Sequence, residues 1–343
     1  MRKTLAIVLT LLLCLASALA REEGVTLVFS FVGDCTLGGE AGGSSEKYFA
    51  KVCDEKGYGY FFGSVKELFD RDDFTVVNLE GPLTECNTKG EKAQYYFRGR
   101  PDYARILTEG GVEVANLANN HIFNFGQQGF DDTVSALDAE GIGSCGYDRI
   151  YYAEKKCVRV AFVGFDQWKS TDDDIKRVVT EARANSDILI VSYHGGVENT
   201  HAIGDRVMQA GKLCIDLGAD IVVGNHSHVY SGIVKHKGKY LIGSLGNFCF
   251  GGNLNKPYDC RCTIFRQAFT VYPSGKVEDA GIDIIPSYMG SKKDINDLRP
   301  GPIQGGVAPE SAFNSIMNRS GFKARDVKWL ADSFAVSRGL DKK

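Results

Sequence analysis

The chain has 343 residues, of which 43% are hydrophobic and 24% are charged. These fractions are typical of a globular protein with a sizeable core, and they exclude a disordered chain, a collagen-like fibre and a protein with several membrane spans. Lys and Arg number 40 against 43 Asp and Glu, which gives a net charge of −3. Because nucleic-acid binding usually needs a basic face, we expect no nucleic acid among the partners.

The N-terminus has the layout of a secretory signal peptide over residues 1–20. Arg2 and Lys3 form a basic start, residues 5–15 are an almost unbroken apolar run, and small residues precede a cleavage point after Ala20. The apolar run is shorter than the ~20 residues of a comfortable membrane span. We therefore predict an exported protein, periplasmic or extracellular at the cell envelope, with no stable membrane span after cleavage. An uncleaved N-terminal anchor is the alternative.

The cysteines give a weaker indication of the compartment. Ten occur in the chain, and nine remain after cleavage at Ala20. In an oxidising compartment some of these are expected to form disulfides, and an odd number leaves at least one thiol without a partner in the chain. The pattern lacks paired Cys-x-x-Cys units, so we do not expect a structural zinc ribbon.

Apolar runs alternate with amphipathic segments along the rest of the chain. The runs predict strands over residues 25–32, 74–79, 112–117, 158–163, 188–192, 221–223 and 240–244. The segments between them predict helices over residues 102–109, 126–140, 172–184 and 205–217. Several strands are wholly apolar, as strands buried on both faces are. This order predicts an α/β fold, built as a layered sandwich.

The C-terminal part has a different composition. Residues 286–306 are richer in Gly, Pro and polar side chains, which predicts a linker or a long surface loop, and the residues beyond Ala308 predict one or two helices. We therefore divide the chain into a signal peptide (residues 1–20), a main α/β domain (residues 24–285) and a linker with a C-terminal helical extension (residues 286–343).

Polar side chains gather where the predicted strands end. In open α/β sheets, ligands bind in the crevice beyond the carboxyl ends of the strands. The polar groups at these ends are Asp34, Asn78 with Glu80, Asn119-Asn120-His121, His194 with Glu198, His226 with His228, and Asn247. Four of the six histidines of the chain fall in these groups.

Carboxylate, amide and imidazole side chains suit Mn, Fe, Zn or similar divalent ions. A site with six such ligands can hold two ions that clamp the attacking and leaving oxygens of a displacement. His121 follows Asn120 and is placed to give a proton to the leaving group. Taken singly, each group has a plainer interpretation: Asp34 as a turn residue, Asn120 as a helix cap. Their order, each at a strand end, favours a metal site.

The ordered set of motifs resembles the poly-γ-glutamate capsule synthesis family (CapA-like proteins), a branch of the calcineurin-like metallophosphoesterase superfamily. The motifs that carry the resemblance are Phe-Val-Gly-Asp (residues 31–34), Val-Asn-Leu-Glu-Gly-Pro-Leu-Thr (77–84), Asn-Leu-Ala-Asn-Asn-His (116–121), His-Gly-Gly-Val-Glu (194–198), Gly-Asn-His-Ser-His-Val (224–229) and Ser-Leu-Gly-Asn-Phe (244–248). The resemblance covers about residues 25–250 and does not extend to the C-terminal tail.

The resemblance implies a four-layer α/β/β/α sandwich with one or two divalent transition metal ions at the sheet edge. Carried over position by position, it implies six metal ligands, namely Asp34, Glu80, Asn120, His194, His226 and His228, with His121 as the catalytic histidine. Two positions depart from the superfamily pattern. Thr36 stands where a ligand His is common, and Asn124 stands where an Asp that supports the catalytic histidine is common, which weakens the prediction that His121 is an acid.

Arg98 is the predicted substrate-binding residue. It lies in a Tyr-Tyr-Phe-Arg-Gly-Arg stretch (residues 95–100) and would meet an anionic substrate through a bidentate contact. The alternative is a loop arginine that stacks on its aromatic neighbours.

Three functions remain open from the sequence. The first is an exported metal-dependent hydrolase that acts in synthesis, export or processing of an anionic envelope polymer such as poly-γ-glutamate, alongside envelope-biosynthesis proteins. The second is a general metal-dependent phosphoesterase with a phosphoester substrate. The third is a non-catalytic scaffold that binds the polymer in the cell envelope.

Overall fold

A computed structural model describes residues 24–90, 92–252 and 259–303. The predicted signal peptide (residues 1–20) and the predicted helices beyond Ala308 lie outside the described residues. Within those ranges, none of the helices is both long and apolar enough to cross a membrane.

Strands and helices alternate along the chain, as the apolar runs predict. The described strands are β1 (Val25–Thr36), β2 (Gly39–Glu40), β3 (Phe74–Leu79), β4 (Phe97–Arg98), β5 (Val114–Asn116), β6 (Gly143–Cys145), β7 (Tyr151–Lys155), β8 (Val158–Asp166), β9 (Ile188–His194), β10 (Ile221–Asn225), β11 (Ile233–His236), β12 (Lys239–Ile242), β13 (Asn247–Phe250), β14 (Arg261–Val271), β15 (Val277–Tyr288) and β16 (Gly301–Pro302). The described helices are α1 (Ser44–Lys56), α2 (Gly59–Phe62), α3 (Lys66–Phe69), α4 (Ala104–Gly110), α5 (Gly126–Ala139), α6 (Asp172–Ala184) and α7 (Asp205–Asp216).

The longer strands form two sheets. One has eight strands in the order β16-β15-β14-β1-β3-β5-β6, with β13 paired to the end of β1, and the other has six in the order β11-β12-β10-β9-β8-β7. Strands β1, β3, β5 and β6 run parallel to one another, and so do β8, β9, β10 and β12. Because parallel strands end at the same edge of a sheet, the polar residues that follow them are brought together.

The two sheets pack face to face, and helices cover their outer faces. Phe29 of β1 packs against Phe162 of β8 in the core between the sheets, with ring centroids 6.4 Å apart. Helices α1 to α5 cover the outer face of the eight-stranded sheet, and α6 and α7 cover the outer face of the six-stranded sheet. The predicted four-layer α/β/β/α sandwich is therefore confirmed.

The residues at the start of helix α6 explain why the helix begins there. Thr171 caps the helix: its hydroxyl oxygen accepts from the backbone N–H of Asp174, and the Asp174 carboxylate accepts from the Thr171 N–H. This reciprocal capping box satisfies two orphan donors, and acidic residues in the first turn complement the helix dipole. The buried side chains recur at helical spacing, so the predicted bounds of 172–184 match the structure.

The linker predicted from Pro286 does not begin there. Strand β15 continues to Tyr288 and pairs with β16, so the sheet extends beyond the predicted boundary at residue 285. A proline usually marks the end of a strand or an edge, because it cannot donate a ladder hydrogen bond. Here its carbonyl oxygen accepts from the N–H of Ile303 (2.9 Å), which keeps Pro286 in the sheet.

The expected disulfides are not formed among the described residues, where the nine cysteines are not joined to one another. Most of them are buried, and they act as small apolar residues in the separate cores of the sandwich. Burial raises the pKa of the Cys145 thiol to about 12, so this side chain stays protonated and unreactive at neutral pH.

Gly33 is required where β1 approaches the loop before β13. A Cβ at this position would lie 1.7 Å from the carbonyl oxygen of Gly246, and that same oxygen accepts from the N–H of Asp34 (3.0 Å). We expect Gly33→Ala to lower the free energy of unfolding by about 1–3 kcal/mol, measured by urea denaturation. Gly59→Ala is the control, because its Cβ would meet only the end of the Glu109 side chain. Equal stability of the two variants would contradict the prediction.

Candidate metal centre

The predicted ligands come from both sheets and converge at one edge of the sandwich. Asp34 belongs to β1, Glu80 follows β3, and His194 ends β9. Across the seam between the sheets, Asp34 Oδ1 lies 3.8 Å from His194 Nδ1, and Asp34 Oδ2 lies 3.5 Å from His228 Nδ1. On the eight-stranded side, the loop after β5 places Asn120 Oδ1 2.8 Å from His194 Nε2. Residues distant in the chain therefore line a single cleft.

The predicted ligands form two overlapping sets of ligand atoms in the cleft. The first set is Asp34, Glu80 and His228, and the second is Glu80, His194 and His226; within each set, one ligand atom per residue lies within 4.8 Å of the others. Asn120 adds its amide oxygen to the second set. Glu80 is shared, with Oε2 4.0 Å from His228 Nδ1 and Oε1 3.7 Å from His194 Nε2. A carboxylate with one oxygen toward each set is in a bridging position.

Buried atoms without partners test whether these residues fit a cation. Glu80 is fully buried, and within the described part of the chain neither of its carboxylate oxygens has a hydrogen-bond partner. The same is true of Nδ1 of His226, which is 5% exposed. Leaving a buried polar group unsatisfied costs about 1–3 kcal/mol, and more for a charged group. A divalent ion would satisfy these atoms, so the residues fit a metal.

The electrostatics of the cleft support the same conclusion. Burial, with the Asp34 carboxylate second, raises the pKa of Glu80 to about 8. Burial lowers the pKa of His226 to about 4 and that of His194 well below its usual range, so both imidazoles are neutral and able to bind a metal. Burial also opposes the charging of His228, but the carboxylates of Glu80 and Asp34 outweigh it and raise its pKa to about 10. The cleft thus favours positive charge beside its carboxylates.

An uncommon backbone conformation aims the two imidazoles after β10. His226 has φ of 95° and His228 has φ of 58°, in the region that residues other than glycine rarely adopt. Contacts hold the turn in place: the N–H of His226 donates to Asp34 Oδ2 (3.2 Å), and the Trp168 ring lies edge-on to the His226 ring at 4.7 Å. Local strain of this kind is concentrated at functional sites.

Buried amides orient the ligands from behind. Asn78 Nδ2 donates to Asp34 Oδ1 (2.8 Å) and lies 3.1 Å from His194 Nδ1. Asn116 Nδ2 donates to the Asn78 side-chain oxygen (2.8 Å). On the cleft side, the half-buried Asn247 has Oδ1 2.8 Å from His228 Nδ1, the nitrogen that also faces Asp34 Oδ2. Partners of this kind fix the orientation of ligating side chains. The sequence placed Asn78 and Asn247 at strand ends without assigning them this role.

His121 lies beside the cleft with one ring nitrogen turned toward it. Asn124 Oδ1 accepts from the N–H of Phe97 (2.7 Å), so the atom that His121 Nδ1 contacts at 2.9 Å is an acceptor, and Nδ1 carries the proton. His121 Nε2 then faces Glu80 Oε1 at 3.9 Å with its lone pair. Burial lowers the pKa of His121 to about 4, so the neutral ring is the resting form.

Arg98 lies on the other side of its strand. The ring of Phe97, its neighbour in β4, packs 4.3 Å from the His121 ring, and successive side chains of a strand face opposite ways. Arg98 Nη2 pairs with Glu46 Oε1 (3.1 Å), and its guanidinium lies 5.2 Å from the centre of the Phe125 ring. These contacts differ from the predicted stacking on Tyr95, Tyr96 or Phe97, and the role in substrate binding stays a prediction.

Trp168 lies at the mouth of the cleft, and the sequence analysis did not single it out. Its side chain is half exposed, and its ring centroid lies 6.1 Å from that of His194. Buried Asp166, the last residue of β8, holds the loop by accepting from the N–H groups of Trp168 (2.8 Å) and Lys169 (2.6 Å). The only feature of the sequence that could have indicated this loop is the Asp166 carboxylate, which also stands at the end of a strand.

Comparison with known proteins places the chain in a family. Residues 28–252 match the family described as bacterial capsule synthesis protein PGA_cap. The chain belongs to this family. All six predicted ligands and His121 lie within the matched residues, and the resemblance on which they were predicted is confirmed.

Two relatives of this family are similar over most of the chain. The PGA biosynthesis protein CapA of Bacillus subtilis (strain 168) is 28% identical over 299 residues, which cover 80% of this chain and 73% of that protein. The capsule biosynthesis protein CapA of Bacillus anthracis is 28% identical over 305 residues, with 80% and 71% covered. Among solved structures, a hypothetical protein from Thermus thermophilus aligns over 76% of this chain and 98% of its own, with a TM-score of 0.49 and 15% identity.

Proposed function

We propose that the protein is an exported, metal-dependent hydrolase that acts in the synthesis, export or processing of an anionic envelope polymer such as poly-γ-glutamate. The observation that carries the proposal is the buried Glu80 carboxylate, which lies between two ligand sets and lacks a hydrogen-bond partner among the described residues. The names of the two bacillary relatives support an acidic capsule polymer as the substrate.

The protein's own residues supply a route for protons. Two divalent ions in this cleft would activate water and neutralise charge that develops on the attacked centre. His121 Nε2 carries a lone pair at the cleft, so it can accept a proton from the attacking water. The protonated ring can then return that proton to the leaving amine or alkoxide. Asn124 holds the ring in this tautomer throughout, because its oxygen accepts from Nδ1.

Metal analysis and two hydrolysis assays on the purified protein test the proposal. We expect bound transition metal, shortening of poly-γ-glutamate, and little turnover of a chromogenic phosphodiester. Turnover of the ester without shortening of the polymer would indicate a general phosphoesterase instead. A protein with neither metal nor turnover would contradict the proposal and favour a polymer-binding scaffold.

His121→Ala is expected to separate turnover from metal binding. The variant loses the proton carrier but none of the six ligands, so we expect unchanged metal content and turnover lower by about 10²–10⁴-fold. Elemental analysis and steady-state kinetics measure the two effects. Loss of metal together with activity would place His121 among the ligands, and unchanged turnover would remove its role in proton transfer.

A further inference from the structure

Glu198 lies over the mouth of the cleft on a loop that is pinned to the metal-binding turn. The loop follows His194, and the N–H of Asn199 donates to the carbonyl oxygen of Ser227 (2.8 Å), which lies between the two imidazole residues. One carboxylate oxygen of Glu198 and one ring nitrogen each of His226 and His228 lie within 4.8 Å of one another. Glu198 is exposed, whereas Asp34 and Glu80 are buried.

The two ligand sets differ in the number of side chains that they contain. The set at His194 has four members when Asn120 is included, whereas the set of Asp34, Glu80 and His228 has three. Divalent transition metals in proteins have at least four ligands, and a catalytic site keeps one of these positions open to water or substrate. The smaller set therefore has a position that a further side chain can occupy until substrate arrives. Thr36, two residues after Asp34 in β1, has a buried hydroxyl without a hydrogen-bond partner among the described residues, but a neutral hydroxyl is a poorer ligand than a carboxylate.

We propose that Glu198 is the solvent-facing metal ligand that completes the Asp34–Glu80–His228 set. This inference rests on the proposed function, because it assumes that the cleft holds metal ions. Glu198 is the exposed member of the set, so an incoming anionic group can displace it while the buried ligands stay in place. By contrast, Glu80, His194 and His226 of the other set are all buried and offer no exposed side chain that an incoming group could replace.

Binding of Mn²⁺ to the mature chain tests the assignment by calorimetry. The fluorescence of Trp168 gives a second readout in a Trp329→Phe background, because its ring contacts that of His226 and the chain has two tryptophans. We expect the parent chain to bind two ions. In Glu198→Gln we expect one ion to bind as before and the other to bind at least ~10-fold more weakly. Asp205→Asn, an exposed acid at the start of α7, is the control and is expected to match the parent.

The possible failures are distinguishable. A Glu198→Gln variant that binds both ions like the parent overturns this inference alone, and so does a variant that loses both ions while remaining folded by circular dichroism. A parent chain that binds no Mn²⁺, Zn²⁺ or Fe²⁺ overturns the inference and the proposed function together.

Discussion

Replacing His226 with alanine is expected to lower the affinity for a divalent ion by about 100-fold and to abolish turnover. Removal of groups that merely orient a ligand already costs about 10–100-fold in metal affinity, and we place His226 in direct contact with the ion. Its Nδ1 has no other partner in the described residues, and its ring packs 4.9 Å from His194. Alanine would also leave a gap beside Trp168 that no neighbouring ligand fills.

His236→Ala provides the matched control for this experiment. His236 lies on β11, and its Nε2 pairs with Asp216 Oδ1 at 2.8 Å, away from the ligand sets. We expect the metal content and turnover of this variant to equal those of the parent. Metal content after dialysis, measured by elemental analysis, compares the two variants directly. Equal metal in His226→Ala and the parent chain would refute the assignment of His226 as a ligand.

The second large effect is on stability, and it comes from an arginine buried in β14. Arg266 is fully buried, with Nη1 3.0 Å from Asp283 Oδ2 and Nε 3.3 Å from Asp72 Oδ2. Arg266→Met removes the cation and leaves two carboxylates without it in a low-dielectric interior. Breaking a buried ion pair from one side costs about 3–5 kcal/mol, and we expect a loss of stability of this size.

Urea denaturation compares Arg266→Met with Arg177→Met, a control in which the same substitution removes an exposed ion-paired arginine. Arg177 lies on α6 and pairs with Asp148 in the solvent, where an ion pair adds little to stability. We expect only a small change in the midpoint for Arg177→Met. If the two variants have a similar midpoint, the buried contacts of Arg266 with Asp72 and Asp283 do not contribute the expected free energy of unfolding.

The sequence predicts the layers and the ligand set because both depend on the same physical rule. Wholly apolar runs such as residues 74–79 and 188–192 have to be buried on both faces, and polar residues directly after them have to lie at the sheet edge. Parallel pairing brings the residues that follow the strands of each sheet to one edge of that sheet. Glu80 and His194, which 113 intervening residues separate in the chain, lie in different sheets, so their contact also needs the two sheets to pack with these edges on the same side.

Side-chain direction and backbone strain could not be predicted in this way. The direction of the Arg98 side chain depends on a two-residue pairing of β4 with β2 that has no sequence signal, and its role in substrate binding stays a prediction. The positive φ of His226 and His228 arises from tertiary contacts with Asp34 and Trp168, and propensity favours glycine or asparagine there. The boundary at residue 286 was predicted from composition, which does not reveal that the N–H of Ile303 returns to donate to the Pro286 carbonyl oxygen.

The division of donors between the sheets has a consequence for how the centre comes into being. Among the six ligands predicted from the sequence, the oxygen donors Asp34, Glu80 and Asn120 belong to the eight-stranded sheet, and the nitrogen donors His194, His226 and His228 belong to the six-stranded sheet. The Asp34–Glu80–His228 set and the Glu80–His194–His226 set each take residues from both sheets, so each is complete only when the two sheets are packed in register. An ion held by either set would link the two sheets and stabilise the folded chain against their separation.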